Sequence, residues 1–120
     1  DLCGAGVGEA RPRPATLGRE VKRGEIWWAR MDKDRPVLLL SRDEAYEARA
    51  MVLAAPATAT VRGFSLEVKI GRREGLPREC VINCDWLVTV PKEDLVDRAG
   101  ALSRAKLEQL DDALRFALGL

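Results

Sequence analysis

The chain has 120 residues and a formal net charge of +1, from 20 Lys and Arg against 19 Asp and Glu. That length supports one domain with one core, and the even charge excludes a bulk nucleic-acid binder, so a nucleic-acid site must be a local basic patch. The lack of histidine excludes histidine metal sites, Ser-His and Cys-His catalysis and a two-histidine ribonuclease.

Residues 1–20 are rich in Gly, Ala, Arg and Pro, and RPRPATLG reads as linker. A flexible tail is expected over 1–21 and a folded domain over 22–120. Residues 24–41, GEIWWARMDKDRPVLLLS, hold two apolar runs joined by a charged link. They read as two paired strands, and their near-continuous apolarity predicts burial on both faces. Arg35 stands just before Pro36. Proline is tolerated at the first residue of a strand, so the cation is held at a rigid strand edge.

Residues 42–49 read as one or two helical turns, with Ser41 or Asp43 as cap. Residues 51–55 predict a third strand, after which 56–60 leave the ladder. Arg62-Gly63 marks a turn, and 65–70 alternate as a half-buried strand. Residues 71–78, GRREGLPR, form a basic loop; 80–90 are the last strand region, bent near Asp85; Pro91 opens a turn over 92–94. Residues 103–118 predict a helix, with Ser103 as N-cap, Leu107, Leu110 and Leu114 on one face, and Gly119 at its end.

Cys80 and Cys84 share a strand face but stand roughly 13 Å apart, too far for a disulfide, and are read as small buried thiols. No run nears the ~18 apolar residues of a membrane span, and no signal-peptide pattern appears, so a cytoplasmic protein without membrane contact is expected. Together the elements predict an α+β domain on a strongly bent antiparallel sheet or barrel, with a short helix and a C-terminal helix.

GEIWWA, a charged link, RPVLLLS, a strand into AAPAT, then CVINCDWLVTVPKEDL and LSRAKLEQLDDALRFALGL occur in that order over about residues 22–120. This series resembles the MazF/PemK family of toxin endoribonucleases. The resemblance implies an SH3-like barrel, a homodimer and cofactor-free, metal-free cleavage of single-stranded RNA. It also implies a cognate antitoxin whose disordered acidic C-terminal segment wraps the dimer. The family's catalytic arginine and threonine match Arg35 and Thr58. Three departures stand out: the first link is short, a serine common before the fifth strand is Cys80, and an asparagine often found after the second strand has no counterpart in RDEAYEA.

The chemistry suits these residues. RNA carries its own nucleophile, the 2′-OH, so a protein need only position it, offset the charge of the transition state and handle protons. Arginine forks onto phosphate, and a threonine hydroxyl can donate to a phosphate oxygen. Arginine is a poor base, so Arg35 reads as charge stabiliser and proton donor. Asp32 and Asp34 are either assistants or solvated link carboxylates. For Arg35 the structural alternative is a strand-edge ion pair; for Thr58 it is a turn hydroxyl bonding the backbone. RNA binding is assigned to Arg30, Lys33, Arg62, Arg72, Arg73, Arg78 and the ring of Trp28, with Trp27 and Trp28 facing opposite ways along their strand. Two other readings remain: a same-fold toxin that poisons DNA gyrase by protein contact, and a barrel that binds RNA and leaves it intact.

Overall fold

The computed structural model describes residues 21–43, 50–63 and 66–120. Its seven strands are β1 (Glu25–Arg30), β2 (Asp34–Leu39), β3 (Met51–Thr58), β4 (Glu67–Ile70), β5 (Cys80–Asn83), β6 (Val88–Pro91) and β7 (Leu95–Ala101). A helix, α1 (Arg104–Leu118), follows β7, and 3₁₀ turns stand at Arg72–Glu74 and Lys92–Asp94. All the strand pairs are antiparallel.

Chain connectivity forces the sheet to curl. The pairings run β6-β3-β2-β1-β7, which puts β6 and β7 on opposite edges of five strands. Laid flat, those edges would be about 19 Å apart at ~4.8 Å per strand. Only the 3₁₀ turn Lys92–Asp94 joins them, and at about 2 Å rise per residue it cannot span that gap. The sheet therefore closes toward a half-barrel. Alternate residues Trp27, Val37, Leu39 and Val52 fill the enclosed face with Val90 of β6 and Leu95 of β7. The opposite face carries Ile26, Trp28, Leu38 and Ala55 and is covered by β4, β5 and α1 through Ile82 and Leu110. Both faces of β1 and β2 are thus buried, as their unbroken apolar runs predict.

The helix forms as read, with the Ser103 hydroxyl accepting from Lys106 N and Gly119 in the left-handed conformation. Other boundaries move. Val21, assigned to the tail, is buried with the enclosed core. β3 runs through Pro56 to Thr58 instead of ending at Ala55. The proline fits because β6 pairs with residues 51–54 and β5 with 57–58, so Pro56 falls between the two partners. Residues 80–90 are two strands, broken at a turn. The Asn83 side chain accepts from Asp85 N at 2.8 Å, and the Asn83 backbone carbonyl accepts from Trp86 N at 2.9 Å. β7 has no counterpart among the expected strands. The helical turns expected over 42–49 lie, from residue 44 on, outside the described residues.

The basic loop is pinned rather than loose. A Cβ on Gly75 would stand 1.9 Å from Ala99 O, and one on Gly100 would stand 2.2 Å from Glu74 O. The loop backbone therefore lies directly on β7, which only glycine at both positions permits. Glu74 is buried, accepts from Gly71 N at 2.7 Å and pairs with Lys106 Nζ at 3.5 Å.

Candidate functional site

Arg35 and Thr58 meet through the β2–β3 register. The partners are Leu39 and Ala54, Leu38 and Ala55, Val37 and Pro56. Two residues further along the same ladder, Arg35 falls across from Thr58. Arg35 points to the enclosed face, in step with Val37 and Leu39, at the mouth of the curl. It is 6 % exposed, very low for a cation. Its Nη1 donates to Ala57 O at 3.2 Å, the carbonyl of the residue before Thr58. Its Cζ lies 5.3 Å from the centroid of the Trp86 ring, within cation–π range.

Thr58 is half-buried at the end of β3, and its hydroxyl accepts from Thr60 N at 3.2 Å. The turn role weighed from sequence is therefore real. It does not use up the group, since a hydroxyl that accepts still has its own O–H to donate. Guanidinium and hydroxyl thus belong to residues that stand across one ladder, and both groups are donors suited to a phosphate.

The other predicted contacts divide by location. Arg30 and Lys33 flank the β1–β2 turn, beside Ala29, which pairs with Arg35. Asp32 is exposed there and accepts from Lys33 N at 3.0 Å, so its visible work is to shape the turn. Arg62 is exposed past the end of β3, where its N and Gly63 N donate to the Glu67 carboxylate. Arg72, Arg73 and Arg78 are exposed on the pinned loop. Arg72 and Arg73 line a cleft of about 560 Å³ with Val61, Lys69, Glu79 and Lys106. Val81 pairs with both Thr58 and Lys69. Val81 itself lines the cleft, which therefore begins one strand, about 5 Å, from Thr58.

Trp28 requires a correction. It is 5 % exposed and packs in the core beneath the helix, so its ring cannot stack on a ligand. Trp27 is buried on the other face at 3 %. Because each face of β1 is covered by a core, opposite orientations bury both rings. Trp86, at 38 % exposure, is the aromatic ring beside the site. Sequence reasoning left it and Lys106 out of the site; Lys106 lies beside Lys69. Their joint position depends on β4 and α1 meeting, where Lys106 Nζ donates to Lys69 O.

Cys84 is a free, buried thiol, pushed up to about 11 by burial, with Asp85 adding to the effect. Cys80 is disulfide-bonded, which corrects its reading as a thiol; Cys84, four residues along the chain, is not its partner.

Residues 22–118 match the family described as PemK-like, MazF-like toxin of type II toxin-antitoxin system. The probable endoribonuclease MazF5 of Mycobacterium tuberculosis is 36 % identical over 99 residues, covering 80 % of this chain and 91 % of that protein. Endoribonuclease MazF3 of the same organism is 37 % identical over 92 residues, covering 77 % and 89 %. Among solved structures, the Mycobacterium tuberculosis toxin MazF-mt6 superposes with a TM-score of 0.76 at 36 % identity, covering 80 % of this chain and 97 % of that one. A mycobacterial endoribonuclease in complex with its cognate antitoxin superposes with a TM-score of 0.75 at 28 % identity, covering 83 % and 96 %.

Proposed function

Since the chain belongs to the PemK-like, MazF-like toxin family, we propose that it is a toxin endoribonuclease that cleaves single-stranded RNA at a short motif and is neutralised by a cognate antitoxin. The observation that carries the reading is the placement of Arg35 across the ladder from Thr58, with the guanidinium on the carbonyl of the preceding residue, Ala57. The guanidinium offsets negative charge as the 2′-OH attacks the adjacent phosphorus, and the Thr58 hydroxyl donates to a phosphate oxygen. As the P–O5′ bond breaks, the 5′ oxygen takes a proton from the Arg35 guanidinium, the 2′-OH proton passes to water, and the products carry 2′,3′-cyclic phosphate and 5′-OH ends. Every step uses the RNA's own hydroxyl, water and donors of this chain, so no metal is needed. A fixed donor at such a centre is worth about 10²–10³ in rate.

Strand binding follows from the cations around this pair. Arg30, Lys33 and Arg62 lie near it, and Arg72, Arg73 and Arg78 carry the track onto the pinned loop. The antitoxin segment is read as acidic and amphipathic, placing carboxylates on these arginines and apolar side chains near Val61. The protein acts as a homodimer in the cytoplasm, where its RNA is. No described helix is long and apolar enough to cross a membrane. Incubation of the pure protein with mixed single-stranded RNA in EDTA, followed by end analysis, tests the reading. Cleavage to 5′-OH and cyclic or 3′-phosphate ends is expected. Loss of activity in EDTA, restored by a divalent ion, would contradict the metal-free route, and RNA bound but left intact would contradict the enzyme.

A further inference from the structure

Trp86 is the tryptophan that remains open to solvent, at 38 % exposure against 3 % for Trp27 and 5 % for Trp28. Leaving a large aromatic in water forgoes favourable burial. The turn that carries it is closed by the Asn83 side chain and backbone groups, so the turn does not require an indole. What the indole contacts is the Arg35 guanidinium, 5.3 Å from the ring centroid. The two groups come together because β3 changes partner from β6 to β5 at the level of the site, and the connecting turn presents Trp86 at that gap.

We propose that Trp86 is the aromatic platform of the site, holding the Arg35 guanidinium and stacking the nucleobase next to the scissile phosphate on its open part. This rests on the RNA-cleavage reading above. Any base has a π-face, so the contact tolerates sequence while fixing where the strand lies. Base, indole and guanidinium then form a column that registers the phosphate against Arg35. Trp86 is a binding residue toward the base and a positioning residue toward Arg35.

The probe is a mixed-sequence 2′-deoxy oligomer, which lacks the nucleophile and stays intact. Because Trp27 and Trp28 are buried, acrylamide quenching of wild-type emission reports Trp86. The oligomer should protect that emission. Trp86→Ala should weaken oligomer binding roughly ten- to hundredfold, the range for loss of one stacked base, and raise KM and lower kcat on RNA, while Trp86→Phe recovers most of both. Unchanged quenching at saturating oligomer, in a protein that cleaves RNA, overturns the proposal and leaves the cleavage reading standing. So does a folded Trp86→Ala within about twofold of wild type. Should that variant not fold, wild-type quenching decides alone. A wild-type protein that neither binds nor cleaves RNA removes both readings.

Discussion

Arg35 is held by contacts that are directional. Burying a cation without partners is costly, and here a carbonyl and an aromatic face stand in for water. The hydrogen bond to Ala57 O and the Trp86 ring hold the planar fork from two directions, so little ordering would remain for the phosphate contact proposed above. A lysine would keep the charge and lose the fork and the flat stacking face. Cys84 is a residue-scale test of how dry the neighbouring core is. Its folded thiol ionises near 11, against 9.0 without burial. Below pH 9 both folded and unfolded forms are protonated, and the group has no effect. Between pH 9 and 11 the unfolded chain binds fewer protons, so stability falls with rising pH, by up to about 3 kcal/mol for a shift of that size. Urea unfolding at pH 8 and 10.5 should show a smaller loss in Cys84→Ala than in wild type; equal losses would mean the thiol is hydrated.

Among the elements, the loop carrying Arg72 and Arg73 is held by backbone packing. Gly100 has an ordinary backbone conformation, so alanine there is a purely steric change, placing a methyl 2.2 Å from Glu74 O. Gly100→Ala should cost about 1–3 kcal/mol, the scale of forced overpacking, seen as a lower thermal midpoint and weaker RNA binding. An unchanged midpoint would show that the loop lifts off β7 without cost. Elements were legible from sequence where local pattern and final burial agree. β1 and β2 are apolar throughout because both faces are covered, and α1 has its cap and its period. β7, LVDRAGA, was not legible. Asp97 and Arg98 interrupt its pattern, and its pairing with β1 slips at two points, so curling of the sheet makes it a strand. Arg35 and Thr58 could be named as candidates from the ordered motifs that carry them, and the β2–β3 register sets them across from each other. Trp86 could not, because its partner is brought to it by a change of strand neighbours across the fold.

At the scale of the molecule, the chain is nearly neutral, and Arg30, Arg62, Arg72 and Arg73 are exposed, so the RNA track proposed above would run over them. A two-fold dimer would lengthen that track, and light scattering at micromolar concentration should give twice the chain mass. An acidic, amphipathic peptide should compete with labelled RNA, and its affinity should fall less steeply with salt than that of RNA, which rests on phosphate charge. Independent binding of both would separate the two surfaces. On the reading proposed above, the Arg35–Thr58 pair performs the cleavage. The direct measurement is the rate of RNA cleavage in EDTA by wild type, Arg35→Ala and Thr58→Ala, each checked for native circular dichroism. Arg35→Ala should lose about 10²–10³ in rate, and Thr58→Ala should lose less, since a neutral donor is worth less than a charged one. Wild-type cleavage by a folded Arg35→Ala would contradict the account and move the chemistry elsewhere on the molecule.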